Sequence, residues 1–357
     1  MASPIHKDQN AGGRALLIAA SIVIVIAGVK AAKTLILPFL LAIFLAMITL
    51  PLLNMLRERK IPTPIAVFAT LVVAMTVLGG LAVLIGGSLS SLGQEIPVYR
   101  ERFDVILSDL LVSINSLGFS ISTEQFTDLL QPDKAWELLQ SGLKGIAAAL
   151  SNLFLVLLTI VLVLFEAAGI PNKLQAAFGH RRNSERFEKI KSEIQKYLAA
   201  KTLISLVTGI LVGVGMAIIG VDFALLWGAL AFLLNYIPNL GSIIAAVPPV
   251  LLAMVQFGPL QAVIVAIIFI SVNVVLGNVV EPYMLGRRLG LSTLVVFLSL
   301  VFWGWVWGPV GMLLSVPLTM IIRIMLENTE DLRWIAVMLG PAPPPSDLKA
   351  PPKKEKS

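Results

Sequence analysis

The sequence contains no cysteine and only two histidines among its 357 residues. Without cysteine, the chain can form no disulfide bond, no thiolate nucleophile and no sulfur-ligated metal site. The two histidines, His6 and His180, lie in polar segments, and we predict no metal site at either of them. Charged residues are also scarce, at 13% of the chain, whereas an ordinary soluble domain carries about 25%. This shortage of charge excludes a typical soluble globular protein.

Several catalytic motifs are absent as well. The sequence has no phosphate-binding loop of the form GxxxxGKS or GxxxxGKT, so we predict that the chain does not hydrolyse ATP itself. It also lacks the HExxH motif of metalloproteases and the GxSxG motif of serine hydrolases. We therefore predict neither an enzyme nor a bound cofactor. The net charge of +6 falls mostly in loops and in the tail, where it indicates membrane orientation and not nucleic-acid binding.

Apolar residues dominate what is present. They make up 57% of the chain, the mean hydropathy is +0.90, and apolar runs of roughly 15 to 24 residues recur. A helix needs about 20 such residues to cross some 30 Å of hydrocarbon. We therefore predict an all-α integral membrane protein in contact with the lipid bilayer. Full transmembrane helices are predicted at residues 15–29, 34–53, 63–87, 146–170, 202–220 and 259–280.

The charges between the apolar runs predict the orientation in the membrane. Lysine and arginine concentrate at residues 57–60, in the basic segment 171–201 and at Arg287 and Arg288, and loops of this kind stay in the cytoplasm. Segment 88–145 carries a net negative charge, which places it outside. With both termini in the cytoplasm, the predicted membrane crossings place every one of these basic segments inside and the acidic segment outside.

Two apolar stretches are interrupted by proline and glycine. In LLNYIPNLGSIIAAVPPVLLAM, from Leu233 to Met254, and in a similar stretch around Gly311, two short apolar arms meet at a break. We predict re-entrant helical hairpins at residues 222–257 and 291–323, on either side of a helix at 259–281. The residues expected to shape the breaks are Pro238, Gly241, Pro248, Pro249, Pro309, Gly311 and Pro317.

The two hairpins have opposite predicted orientations, because the first starts and ends outside and the second starts and ends inside. Opposed hairpins are typical of inverted repeats in transporters, where broken helices bind the substrate near the bilayer midplane. Irregular backbone at that depth needs protein or a water-filled cavity around it. The alternative is that proline and glycine only kink the helices or let them pack closely. The opposed pair favours a substrate site.

Neutral polar side chains accompany the hairpins and predict hydrogen bonds to a substrate. These candidates are Asn235, Asn239, Ser242, Asn273 and Asn278. Trp303 either covers a polar substrate with its indole face or belongs to an interfacial aromatic belt. Glu281 lies at bilayer depth, where a carboxylate is costly and is therefore a candidate for ion coupling. Alternatively, Glu281 pairs with Arg287 or Arg288 at the cytoplasmic interface.

The chain is thus expected to contain five regions. They are the N-terminal transmembrane helices 1–3 (residues 1–87), an extracytoplasmic amphipathic helical segment (88–145), transmembrane helices with the basic cytoplasmic loop 171–201 (146–220), a transport unit (221–325), and a cytoplasmic C-terminal helix with a disordered tail (326–357). The amphipathic segment either packs on its own protomer or holds an oligomer together. We expect Asp222 and Glu166, at the ends of spans, to be solvated.

The blocks NYIPNLGSIIAAVPP and GNVVEPYMLGRRLGLSTLVVFLSLVFWGWVWGPVGMLLSVPLT resemble the autoinducer-2 exporter family of bacterial permeases. The resemblance covers nearly the whole chain. It implies a secondary exporter in the bacterial inner membrane that carries the quorum-sensing signal autoinducer-2, a small hydroxyl-rich compound. It also implies homo-oligomers, expected to be pentamers, in which each protomer has its own pathway.

The expected mechanism is elevator-like alternating access, in which the transport unit slides against an oligomeric scaffold. Two other functions stay open. Because the family also includes members that resemble monovalent cation/proton antiporters, the first alternative is exchange of Na+ or K+ for protons through Glu281. The second is a membrane scaffold without transport of its own, which would leave the two opposed hairpins without a function.

Overall fold

The structure, a computed structural model, describes residues 9–116, 155–166, 181–238, 240–285, 290–327, 329 and 332–341. Every regular element within these ranges is a helix, which confirms the predicted all-α class. In chain order the helices are α1 (Gln9–Ala31), α2 (Lys33–Glu58), α3 (Thr63–Ser116), α4 (Leu155–Glu166), α5 (Arg181–Ile219), α6 (Ala224–Leu234), α7 (Leu240–Phe257), α8 (Pro259–Asn273), a π-helix (Val274–Val280), α9 (Glu281–Leu285), α10 (Thr293–Trp307), α11 (Pro309–Glu327) and α12 (Arg333–Leu339).

Six helices of the described chain are long and apolar enough to cross a membrane. Four of them correspond to predicted full spans, namely Lys33–Glu58, Thr63–Phe103, Ser192–Ile219 and Pro259–Met284. The other two, Leu240–Phe257 and Pro309–Glu327, belong to the predicted hairpins. The apolar parts of α1 and α4 are shorter, at Ala19–Ala31 and Leu155–Glu166. By length and composition, the chain is a multi-pass membrane protein.

Two helices run well beyond the thickness of a bilayer. α3 has 54 residues, which is about 80 Å at 1.5 Å per residue, and it continues to Ser116, past the predicted end of the third span at residue 87. α5 is continuous from Arg181 to Ile219. Residues 181–201, the second part of the basic segment, are therefore helical and run without a break into the predicted span at 202–220.

Each hairpin consists of two arms with a short break between them. α6 and α7 form the first hairpin, and its break lies between Leu234 and Leu240. α10 and α11 form the second, and its break is the single residue Gly308, whose φ of +69° suits glycine. Pro309 follows as the first residue of α11, where its missing N–H costs no intrahelical hydrogen bond.

Three prolines predicted to shape the breaks lie inside the second arms instead. Pro248 and Pro249 are within α7, Pro317 is within α11, and all three are buried. A proline inside a helix removes one backbone hydrogen bond. Neighbouring helices in a membrane protein can compensate for that loss, so the helix continues. Pro238 and Pro309 are the prolines that remain at the breaks.

The same glycine contact brings the arms together in both hairpins. A Cβ atom on Gly241, in the first turn of α7, would overlap the carbonyl oxygen of Leu234 at the end of α6. A Cβ atom on Gly311, in the first turn of α11, would overlap the carbonyl oxygen of Trp303 in α10. Only glycine lets the arms approach this closely. The two hairpins therefore share a packing feature as well as a similar sequence.

The two ends of each hairpin lie side by side. In the first hairpin, the backbone N–H of Asp222 donates to Oε1 of Gln256 at 3.2 Å, and Nε2 of Gln256 donates to the Asp222 carboxylate. In the second hairpin, the guanidinium group of Arg323 lies directly against Gly290. Each segment therefore folds back on itself, with its beginning and its end close together.

Residues of the two hairpins meet in one apolar cluster. Tyr236, at the tip of the first hairpin, and Leu291, at the start of the second, belong to this cluster with Phe44 of α2 and Met320 of α11. Opposed hairpins would place the tip of one near the start of the other in this way. The opposed orientation and the depth of each hairpin in the bilayer stay predictions.

The base of the first hairpin contacts the part of α3 that follows residue 87. The hydroxyl group of Tyr99 lies 2.8 Å from the Asp222 carboxylate and also contacts the Glu95 carboxylate. Trp227 of α6 donates its indole N–H to the backbone oxygen of Asp222 at 2.7 Å. Asp222 and Glu166 are both exposed, as predicted, yet Asp222 also joins α3 to the hairpin. α3 thus holds the first hairpin at its base.

Candidate functional site

The first hairpin lies against α5 through two glycines. A Cβ atom on Gly228 of α6 would come within 2.7 Å of the carbonyl oxygen of Gly209 in α5, and the reverse distance is also 2.7 Å. Backbones this close leave no room for side chains at the crossing. Asn235 follows Gly228 by about two helical turns, so the crossing holds the tip of the hairpin against the first part of the apolar run of α5.

This part of α5 carries three polar side chains, Lys201, Thr202 and Ser205. Lys201 and Ser205 are four residues apart, so they share one face of the helix. Both are buried, and a polar group in a membrane interior is costly unless it is paired. Each of the three side chains has a partner from another element.

Asn235 and Tyr236, at the break of the first hairpin, bind this face of α5. Nδ2 of Asn235 donates to Oγ of Ser205 at 3.0 Å, and the Tyr236 hydroxyl donates to Oγ1 of Thr202 at 2.8 Å. Asn235 is only 7% exposed. A primary amide has two donor hydrogens and an acceptor oxygen, so the bond to Ser205 uses only part of its capacity.

A second hydrogen bond joins the hairpin to α8. Oγ of Ser242, in the first turn of α7, donates to Oδ1 of Asn273 at 2.8 Å. Asn273 is the last residue of α8, directly before the π-helix Val274–Val280. π-Helices are rare and occur frequently at functional sites. A Cβ atom on Gly277 would lie 3.3 Å from Oδ1 of Asn273, so the π-helix packs against this amide.

Glu281, the first residue of α9, forms an ion pair with Lys201. Nζ of Lys201 lies 2.8 Å from each of the two carboxylate oxygens. The side chain of Lys201 is 4% exposed and that of Glu281 is 23% exposed. The partners predicted for Glu281, Arg287 and Arg288, lie outside the described residues. The structure therefore supports an ion pair at Glu281, with a partner in α5 that the sequence did not predict.

Other predicted site residues lie away from these contacts. Asn278 is in the π-helix and exposed, and Asn239 lies outside the described residues. Trp303 is buried at the tip of the second hairpin, where its indole N–H donates to Oγ1 of Thr319 at 3.2 Å and its ring stacks on Trp307. The apolar residues around these tryptophans come mainly from α1 and α2. The contacts of Trp303 thus do not join it to the polar face of α5.

The α5 half of the site was missed by sequence reasoning. Lys201 was assigned to a cytoplasmic loop because it follows a run of basic residues. The signal that could have revealed it is the spacing of Lys201, Thr202 and Ser205, which puts polar side chains within about one turn at the start of an apolar run. Their partners are 30 to 80 residues away in the chain, so only the fold identifies them.

We call this set of hydrogen-bonded side chains the polar centre. It consists of neutral groups and one ion pair, Lys201 with Glu281, whose two charges cancel. Amide and hydroxyl groups come from Asn235, Ser205, Ser242 and Asn273. Within the described ranges, no group of three or more His, Cys, Asp or Glu side chains could hold a metal ion. A centre of a few placed polar groups in apolar surroundings suits a small polar solute.

Comparison with known proteins identifies the family of the chain. A protein-family model described as AI-2E family transporter matches residues 19–331. The chain belongs to the AI-2E transporter family. The family resemblance seen in the two sequence blocks is therefore confirmed. The prediction of a membrane protein from a family of transporters is confirmed as well.

Three AI-2E relatives show the extent of the similarity. The AI-2 transport protein TqsA of Escherichia coli K12 is 38% identical over 341 residues, which is 95% of this chain and 98% of TqsA. YhhT of the same organism, an inferred transport protein, is 37% identical over 343 residues, or 96% of this chain and 98% of YhhT. An inferred transport protein of Borreliella burgdorferi is 32% identical over 326 residues, or 89% of this chain and 88% of the relative. These AI-2E relatives are described as transport proteins and not as enzymes.

Proposed function

We propose that this protein is a secondary transporter that exports autoinducer-2 from the cytoplasm by alternating access. The observation that carries the proposal is the polar centre at the tip of the first hairpin, where Asn235 binds Ser205 and Ser242 binds Asn273. A small hydroxyl-rich compound offers donors and acceptors that match amide and hydroxyl groups. TqsA, whose name states AI-2 transport, is similar to this chain over nearly the full length of both.

The proposed motion is elevator-like. The transport unit at 221–325 moves against a scaffold formed by the N-terminal helices, so that the polar centre opens to one side of the membrane at a time. The ring of Tyr236 meets that of Phe44 in α2 edge-on, with centroids 5.8 Å apart. This contact lies where the tip of the first hairpin would slide past α2.

We also propose that the protein forms pentamers in the bacterial inner membrane, with both termini in the cytoplasm. Large apolar side chains are exposed along α2 and α3, among them Phe39, Phe68 and Val83, and either lipid or a second protomer covers such surfaces. Because the chain has no cysteine, single introduced cysteines can be labelled without background. Labelling from each side of the membrane tests the orientation, and crosslinking in native membranes tests the pentamer.

Efflux of labelled autoinducer-2 from proteoliposomes tests the transport function. The purified full-length protein is reconstituted, and efflux is followed with and without an imposed pH gradient. A proton that moves down the gradient releases about 1.4 kcal/mol per pH unit, so a proton-coupled exporter responds to the gradient and a facilitator does not. Exchange of Na+ or K+ for protons without autoinducer-2 efflux would replace the proposal by the antiporter function. The absence of both activities would favour the scaffold.

A further inference from the structure

The buried ion pair between α5 and α9 has the geometry of an occupied monovalent cation site. Nζ of Lys201 is 2.8 Å from Oε1 and 2.8 Å from Oε2 of Glu281, so one ammonium group occupies both oxygens of the carboxylate. Lys201 is nearly fully buried, whereas Glu281 is partly exposed. The cation therefore comes from inside the protein, and the carboxylate is the more exposed member of the pair.

Stability alone gives little reason for such a pair. The cost of removing two charges from water offsets much of their attraction, and two well-packed apolar side chains often serve equally well. Both residues lie in helices that are long and apolar enough to cross the membrane, Ser192–Ile219 and Pro259–Met284. Ionisable groups in such segments are functional candidates by default.

The ion pair is also close to the proposed solute site. Ser205, which binds Asn235, lies four residues after Lys201 on the same helix. Four residues correspond to about 6 Å of rise along a helix. Without the lysine, the bare carboxylate of Glu281 would attract Na+ or K+, because carboxylate oxygens are hard ligands that suit such ions.

We propose that Lys201 is a specificity-determining residue whose ammonium group takes the place of a free Na+ or K+ ion at Glu281. The tethered charge neutralises the carboxylate, so the polar centre accepts a neutral solute without a companion cation. This proposal rests on the proposed transport function for its biological meaning. It predicts that removal of the Lys201 charge creates a cation site.

The test compares the wild-type protein with Lys201→Met and with the double variant Lys201→Met/Glu281→Gln. Methionine keeps most of the length of the lysine side chain, and glutamine keeps the shape of the carboxylate without its charge. Each purified full-length protein is unfolded thermally in detergent micelles in choline chloride, NaCl or KCl at equal ionic strength. A cation that binds the folded state raises the unfolding midpoint in proportion to the logarithm of its concentration once it saturates the site.

We expect Lys201→Met to have its lowest midpoint in choline chloride and to gain about 3 °C or more in saturating NaCl or KCl. The wild-type protein and the double variant should show no such difference between salts, because the first carries its own ammonium group and the second has no carboxylate at this position. The double variant also controls for general effects of each salt on the micelle.

Three results would overturn the proposal. The first is a Lys201→Met protein whose midpoint is the same in all three salts. The second is a wild-type midpoint that rises with Na+ or K+ as much as that of the variant. The third is a Lys201→Met protein that cannot be recovered folded in any of the salts while the double variant can, since no free cation would then replace the ammonium group.

The readout separates this inference from the proposed function. Cation-dependent stability is measured without autoinducer-2, so a protein that fails to export the signal can still show or lack the cation site. If autoinducer-2 efflux is observed and the cation effect is absent, the role of Lys201 alone is wrong. If the cation effect is observed and efflux is absent, the proposed substrate alone is wrong.

Discussion

The tip of the first hairpin carries a buried asparagine and a tyrosine, whereas the tip of the second carries two stacked tryptophans. Asn235 and Tyr236 donate hydrogen bonds to hydroxyl groups of α5. Trp303 and Trp307 stack with ring centroids 4.9 Å apart, and Trp307 donates to the backbone oxygen of Val29 in α1 at 3.2 Å. Two segments with a common fold thus present different chemistry to different neighbours.

The difference assigns different roles to the two hairpins. Both use a glycine, Gly241 or Gly311, to bring their arms together, so this contact belongs to the hairpin fold itself. An aromatic tip packs well on an apolar neighbour, while a polar tip inside a bilayer must have hydrogen-bonding partners. The polar tip therefore supports the proposal that the first hairpin binds the solute, whereas the second hairpin presents an apolar tip to α1 and α2, the helices against which the transport unit is proposed to move.

The largest effect is expected from Gly241→Ala and Gly311→Ala, which test what the hairpins share. In each variant the added methyl group would overlap a backbone carbonyl oxygen, which cannot move without separating the arms. We expect each variant to lose about 3 kcal/mol of stability or more, at the upper end of the range for overpacked interiors. Thermal unfolding of the purified proteins in detergent micelles measures this loss.

Gly80→Ala is the matched control for these two variants. A Cβ atom on Gly80, within α3, meets no atom within 4 Å. Alanine is favoured over glycine inside a helix by about 1 kcal/mol, so this variant should be at least as stable as the wild-type protein. Similar midpoints for all three variants would contradict the close approach of the arms.

A smaller effect is expected from Tyr236→Phe and Trp307→Phe, which separate the roles of the tips. Tyr236→Phe keeps the ring and removes one hydrogen bond, to Thr202, at a cost of about 1 kcal/mol of stability. Trp307→Phe removes the hydrogen bond to Val29 and also part of a buried indole, so its cost in stability is larger, about 2 kcal/mol. Only Tyr236→Phe should also slow autoinducer-2 efflux, about fivefold if a similar energy is lost at the solute site. Efflux per folded protomer is the measurement. Equal slowing by Trp307→Phe would remove the distinction between the tips.

The π-helix packs against Asn273, whose side-chain oxygen accepts from Ser242 of the first hairpin. The variant Gly277→Ala tests this indirect support. Its Cβ atom would lie 3.3 Å from Oδ1 of Asn273, so the amide that accepts from Ser242 must shift slightly. We expect about a threefold rise in the KM for efflux, which corresponds to less than 1 kcal/mol. Gly215→Ala is the control, because its Cβ atom would meet only the side chain of Ile268, at 3.2 Å. If both variants raise KM equally, helix packing and not the amide is responsible.

The smallest effect is expected at the base of the first hairpin. Tyr99→Phe removes the hydroxyl group that contacts the carboxylates of Asp222 and Glu95. Tyr99 is buried, but both carboxylates are exposed and water can replace the hydroxyl group, so we expect a loss of about 0.5 kcal/mol or less. Hydrogen exchange should become faster at the start of α6 and stay unchanged at the start of α10, which serves as the internal control. Faster exchange at both bases would show that α3 acts on the whole transport unit.

The helical class and the two hairpins could be predicted because hydropathy, proline and glycine report on local structure. The positions of the breaks were harder to predict. Pro248, Pro249 and Pro317 suggested interruptions, but they are buried inside continuous helices. A single sequence does not show that neighbouring helices can support a proline in the membrane. The glycines at the tips, Gly241 and Gly311, were better indicators than these prolines.

Part of the polar centre was named from the sequence, and the rest depended on tertiary contacts. The candidates Asn235, Ser242 and Asn273 form hydrogen bonds at the tip of the first hairpin and the end of α8, and their binding of a solute stays a prediction. Lys201 was missed because charge counting treats a lysine at the end of a basic run as solvated. Its partner Glu281 lies 80 residues away, and no local pattern connects the two.

Efflux of labelled autoinducer-2 by Asn235→Ala tests most directly whether the tip of the first hairpin binds the solute. The substitution removes the donor to Ser205 and leaves the tip of the second hairpin unchanged. We expect at least about a tenfold loss of efflux from a protein that still forms the same oligomer as the wild type. Efflux at the wild-type rate would contradict a transport site at the tip of the first hairpin.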